Sequence, residues 1–119
     1  MELIAGDIGG TKSWLAWVAT RSHGVQLPRF EKVYASADFA SAEALLRQFM
    51  ADAQVSAQAD ALILALPGPL DAQRVRLTNL DWTLDAAELR ATLGIPEVRF
   101  LNDFQAAAAP VLEHTAADA

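Results

Sequence analysis

The sequence predicts an α/β domain on a mixed sheet: an antiparallel three-strand meander, then parallel strands, with helices on the sheet faces. Three observations point there. Over the first 35 residues, apolar runs carrying Trp14, Trp17, Phe30 and Tyr34 follow one another with turn-like connections. Beyond residue 40, helix-period stretches alternate with short apolar runs, the rhythm of βαβ units. One of those runs, Ala61 to Leu66, is apolar throughout, as a strand covered on both faces must be.

Leu3-Ile4-Ala5 reads as a buried strand ending at Gly6-Asp7. Ser13 to Ala19 reads as the second strand and Phe30 to Tyr34 as the third, with a turn at Ser22-His23-Gly24. Ser41 then caps a helix whose apolar stripe is Leu45, Leu46, Phe49, Met50 and Ala53. Pro67-Gly68-Pro69 stops the strand that follows, and Arg74 to Leu77 suits a short strand. Asp85 with Glu88 three residues on makes a capping box, and Leu84 with Leu89 a hydrophobic staple. Leu93 extends that helix, and Gly94 and Pro96 end it. Val98 to Leu101 reads as a further strand, and Phe104 to Glu113 as a last helix opened by Asp103.

Composition narrows the chemistry. The 119 residues suit one domain, and a net charge of −6 disfavours nucleic acid and anionic membrane surfaces as partners. There is no cysteine, which removes disulfides, thiolate metal sites and a cysteine nucleophile, and fits a reducing, cytoplasmic setting. The start shows no basic, apolar leader, and no run approaches the ~20 residues of a membrane span. His23 and His114 lack metal-ligand spacing, Trp82 suits packing, and Asp52, Asp60, Asp71, Asp81 and Glu97 suit solvated faces.

Two stretches carry the functional signal. Gly6-Asp7-Ile8-Gly9-Gly10-Thr11-Lys12 joins the first two strands. Glycines let backbone approach a ligand, consecutive N–H groups in such a turn cradle phosphate oxygens, and Thr11 and Lys12 add a hydroxyl and a cation. Asp7, at the strand end, suits Mg²⁺ held through water. The glycine spacing is not a dinucleotide fingerprint, and Thr11 stands where a Walker loop needs glycine before its lysine. A glycine pair also serves as a plain hairpin turn, and Lys12 as a solvated charge. The second stretch is Leu101-Asn102-Asp103, where a parallel strand passes to a helix, the position at which open α/β sheets bind ligands. Asn102 can hydrogen-bond a sugar hydroxyl, and Asp103 can take its proton as general base, although an aspartate there equally caps the helix. Gly68 admits close approach at another strand end, and Asn79 can reach a hydroxyl or cap local backbone.

Taken in order, these residues resemble a known family. Gly6 to Thr11 resembles the phosphate loop of sugar kinases in the actin-like ATPase superfamily. Thr78-Asn79 with Trp82, then Leu101-Asn102-Asp103-Phe104 before an alanine-rich helix, resembles the bacterial glucokinases. The resemblance implies a ribonuclease H-like domain and ATP-dependent phosphorylation of the glucose 6-hydroxyl. It implies Asp103 as base, and Asn102, Asn79 and Gly68 at the sugar. Gly6, Asp7, Ile8, Gly9, Gly10, Thr11 and Lys12 would lie at the ATP phosphates, with Mg²⁺ near Asp7. Lys12 itself is the residue typical of the related ROK kinases, whose sugar range is wider. Residues 1–119 then correspond to the N-terminal, smaller domain. A second domain and a C-terminal helix would lie beyond Ala119, leaving the isolated chain inactive and an apolar face open to self-association, including a homodimer. An actin-like ATPase without a sugar site and a non-catalytic sugar sensor are the rival readings.

Overall fold

The computed structural model describes residues 1–19, 28–55, 57–67 and 70–102. The expected turn at 22–24, Gly68, Asp103 and the helix over 104–113 lie outside them. The strands are β1 (Glu2–Ile8), β2 (Lys12–Ala19), β3 (Pro28–Ala35), β4 (Ala61–Leu66), β5 (Arg74–Leu77), β6 (Trp82–Asp85) and β7 (Glu97–Asn102). The helices are α1 (Ala42–Ala53) and α2 (Ala86–Leu93), with a 3-10 turn at Ser36–Asp38.

The meander forms as expected. β1 pairs antiparallel with β2 and β2 with β3, while β4 lies parallel to β1 and β7 parallel to β4, giving the order β3-β2-β1-β4-β7. Both parallel crossovers step the same way across the sheet. The right-handed rule therefore sends both connections over one face. The two helices do share a face, and Arg47 of α1 donates to the Thr92 carbonyl of α2 at 2.7 Å. That face collects Ile4, Ile8, Leu15, Trp17, Leu62, Leu64, Leu66, Val98 and Phe100, all buried. They alternate along each strand, as a period of two requires. Leu45, Leu46 and Phe49 of α1 close the layer, and the Phe49 ring lies 5.7 Å from Phe30 and 6.5 Å from Tyr34. Each such buried side chain contributes about 1.5–3 kcal/mol.

The helix starts follow the side chains that mark them. The Ser41 hydroxyl accepts from the Ala44 N–H at 3.1 Å, and the Asp85 carboxylate from the N–H groups of Ala87 and Glu88. Each cap is worth ~1 kcal/mol. α2 ends on Gly94 at φ 69°, whereas α1 ends on Gln54 at φ 52°, without a glycine.

The structure differs from the expectation in three places. β7 runs to Asn102, so Asn102 belongs to the strand and does not follow it. β6 is an additional strand and pairs with β5 in a separate hairpin, which buries Val75, Leu77, Trp82 and Leu84 against the helical face. Trp82, as expected, is a packing residue, 2% exposed and donating to the Phe39 carbonyl. Asp52 is half-buried and does not sit on a free solvated face, because it accepts from the Tyr34 hydroxyl at 2.6 Å and from Gln48 at 2.8 Å. The Tyr34 bond, then Gln48, holds the Asp52 carboxyl below the usual range, while burial and then the Asp52 bond push the Tyr34 phenol up.

The chain enters the β5–β6 hairpin through a tight turn. Asp71 and Arg74 exchange two backbone hydrogen bonds of 3.0 Å around Ala72 and Gln73, which sit at φ 52° and 62°. Two consecutive non-glycine residues in the left-handed region cost roughly 1–2 kcal/mol each. Their surroundings must hold them there.

Candidate phosphate loop and strand-end site

β1 and β2 are joined by a two-residue turn. Ile8 faces Ser13 in the ladder, and the Gly9 N–H donates to the Lys12 carbonyl at 3.0 Å, leaving Gly10 and Thr11 at the tip. Among the described glycines only Gly94 has a positive φ, so left-handed backbone is not what places glycine at 9 and 10. The reason is space. A Cβ on Gly9 would lie 2.7 Å from the Lys12 carbonyl oxygen, and one on Gly10 would lie 3.3 Å from Asn79 Nδ2. Gly6 is buried within β1, where a Cβ would collide with the Leu15 side chain and approach Leu64 Cδ2 at 2.9 Å.

Two serines that the sequence reading did not single out hold this turn. Ser36, which begins the 3-10 turn after β3, donates its hydroxyl to the Gly9 carbonyl at 2.7 Å and its N–H to the Thr11 carbonyl at 3.0 Å. Its single hydroxyl proton is then committed. The buried Ser13 hydroxyl, 2.7 Å away, must therefore be the donor to Ser36 Oγ. With the carbonyls of residues 9 and 11 tied inward, the N–H groups of Gly10 and Thr11 bond to no other group among the described residues. Gly10, Thr11 and Lys12 are exposed. The turn thus offers two N–H groups, a hydroxyl and a cation on a strapped backbone, groups of the kind that can bind an anion. A serine amid the apolar residues of β2 is the one sequence signal that points to the strap, since a buried hydroxyl needs a partner.

Substituting Ser36 by alanine leaves the Gly9 carbonyl and the Ser13 hydroxyl without their partner. Loss of about 1–3 kcal/mol is expected, read from the urea midpoint.

The sheet register sets the other half. Asp7, Ala65 and Leu101 lie in one row across β1, β4 and β7, and Asn102 is one step further toward the carboxyl ends. Adjacent strands are ~4.8 Å apart, so the end of β7 stands about 10 Å from the mouth of the turn, at the same level. Asp7 is exposed at the end of β1, and Asn102 is half-buried. Asn79 sits in the Thr78–Asp81 loop of the β5–β6 hairpin, which brings its side chain against Gly10. The structure thus brings Gly9, Gly10, Thr11, Lys12, Asp7, Asn79 and Asn102 to one end of the sheet. The Ile8 side chain is spent in the core. Among the described residues no three histidine, aspartate or glutamate side chains converge. No helix among the described residues is long and apolar enough to cross a membrane.

A mixed sheet of this order, with a strapped diglycine hairpin after its first strand and an asparagine ending its last described strand, has the actin-like fold shared with sugar kinases. The glucokinase family model matches residues 4–119, and the chain belongs to that family. The glucokinase of Nostoc punctiforme is 38% identical over 104 residues, which cover 87% of this chain and 30% of that protein. Among solved structures, a glucokinase from an Antarctic psychrotroph superposes with a TM-score of 0.81 at 27% identity, covering 92% of this chain and 35% of its own. A ROK family glucokinase from Streptomyces griseus, solved with glucose and AMPPNP, superposes at 0.64 with 25% identity, over 97% of this chain and 36% of its own. The chain spans about 30% of the length of the curated relatives it matches.

Proposed function

We propose that this chain is the N-terminal, phosphate-loop domain of a kinase that transfers the γ-phosphoryl group of ATP to the 6-hydroxyl of glucose. The observation that carries the reading is the strapped turn, with two N–H groups unengaged among the described residues, level with the strand end that hands the chain to Asp103. Phosphoryl transfer asks little covalent chemistry of a protein. It needs an oriented nucleophile and neutralised phosphate charge. Gly10 and Thr11 would hold phosphate oxygens through backbone N–H groups, with Lys12 adding charge and Asp7 reaching Mg²⁺ through water. Asn102 and Asn79 would fix sugar hydroxyls beside Gly68, and Asp103 would take the 6-hydroxyl proton.

A second domain, completing the nucleotide and sugar pockets, would follow these residues. Leu3, Ala5, Ile63 and Ala65, half-buried on the sheet face away from α1 and α2, offer an apolar surface for the rest of the protein or for a second copy. Such a kinase works in the cytoplasm. Lys12, the residue typical of ROK kinases, favours a second reading in which mannose or another hexose replaces glucose.

A coupled assay with Mg-ATP and a panel of hexoses tests this. The reading frame extended through its second domain is expected to form glucose 6-phosphate, and residues 1–119 alone negligible amounts. ATP hydrolysis indifferent to any sugar would replace the kinase reading with an actin-like ATPase. Sugar binding without transfer would replace it with a sensor.

A further inference from the structure

The strained turn before β5 sits against the outer edge of β7. We infer that Gln73 is a positioning residue: its side-chain amide pairs with Phe100 as an artificial strand partner and fixes the carboxyl end of β7, so that Asn102 is held in place for the reaction. This rests on the kinase reading above.

The observations are these. β7 is an edge strand, so alternate residues turn their N–H and C=O groups away from β4. Phe100 is one of them. Its N–H donates to Gln73 Oε1 at 2.7 Å, and its carbonyl accepts from Gln73 Nε2 at 3.3 Å. Two residues earlier the Val98 carbonyl accepts from Arg90 at 3.5 Å. Two residues later, at the next outward position, stands Asn102. The clamp thus holds the outer edge of β7 one outward position before Asn102.

Gln73 holds this position from a left-handed backbone at φ 62°, next to Ala72 at φ 52°. Asparagine and glycine adopt that turn readily, and alanine and glutamine do not. Gln73 also accepts the Ala86 N–H through its carbonyl at 3.1 Å, which fixes the start of α2. The far end of the same hairpin carries Asn79 against Gly10. One hairpin therefore touches both halves of the site, the diglycine turn at its tip and the strand end at its base.

The test separates turn strain from positioning. In the full-length protein, Gln73→Gly relieves the backbone and removes the clamp, while Ala72→Asn relieves the backbone and keeps it. Amide exchange at Phe100 and Asn102 is expected to quicken at least tenfold in Gln73→Gly and to stay as in the wild type in Ala72→Asn. The kcat for sugar phosphorylation is expected to fall about 10-fold or more in Gln73→Gly, with KM for ATP unchanged and Ala72→Asn normal. Unchanged exchange in Gln73→Gly overturns the clamp. Quickened exchange with a normal kcat overturns the positioning role. No turnover in the wild-type full chain overturns the kinase reading and the role with it, while exchange still judges the clamp.

Discussion

Replacing Asp103 by asparagine in the full-length kinase is expected to lower kcat by about 10²–10⁴-fold, the usual contribution of a positioned general base. Asparagine keeps the size of the side chain and its ability to cap a helix, so the fold should survive. It cannot take the proton of the attacking hydroxyl. The loss should fall on kcat more than on KM for ATP, because the proposed nucleotide contacts lie in the other half of the site. Asn102→Ala should behave differently. On the proposed reading it removes a hydrogen bond to the sugar in the ground state as well as the transition state, so KM for the sugar should rise. Steady-state kinetics with both substrates varied measures the split. A near-normal kcat for Asp103→Asn would leave the kinase reading without its base. It would then favour hydrolysis of nucleotide unconnected to sugar.

The elements that announced themselves in the sequence are those decided locally. Ser41 and Asp85 cap helices because their own side chains reach the next backbone N–H groups, a matter of three residues. The meander and the buried strand β4 follow from runs that have few other ways to hide. What stayed hidden depends on contacts across long separations. Ser13 and Ser36 meet from 23 residues apart, and Gln73 and Phe100 from 27. Nothing in the Ala72-Gln73 dipeptide signals a turn with both residues left-handed, since tertiary pairing imposes it. β6 was missed because its four residues run directly into the cap of α2, so Leu84 and Asp85 read as helix entry alone. Asp52 reads as a surface charge because its partner Tyr34 is on β3, outside its own helix and 18 residues away. The diglycine was legible as a candidate, but for an incomplete reason. Glycine was expected there for turn geometry or ligand approach, whereas the structure shows crowding by Lys12 and Asn79.

That crowding makes the two glycines unequal, and the inequality can be measured. Gly9→Ala places a methyl group 2.7 Å from a backbone oxygen, that of Lys12, which is itself held by the Gly9 N–H at 3.0 Å. Neither atom can yield without opening the turn. The Ser36 strap on the Gly9 carbonyl opposes the opening from the other side. The strapped turn must therefore distort, and the Gly10 and Thr11 N–H groups turn away from the positions proposed for the phosphates. A misplacement of ~1 Å costs about 10²-fold in rate, so kcat/KM for ATP should fall by that order in Gly9→Ala. Gly10→Ala meets Asn79 at 3.3 Å, a side chain at the tip of a hairpin loop that can swing aside. Its cost should be a few-fold, falling partly on the sugar through the displaced Asn79. A calorimetric titration with AMPPNP, run beside the kinetics, reads the nucleotide step alone. Equal losses at the two glycines would mean that the turn binds no phosphate through its strapped geometry. A larger loss at Gly10 would mean that the ligand itself, and not Lys12, occupies the space the missing side chains leave.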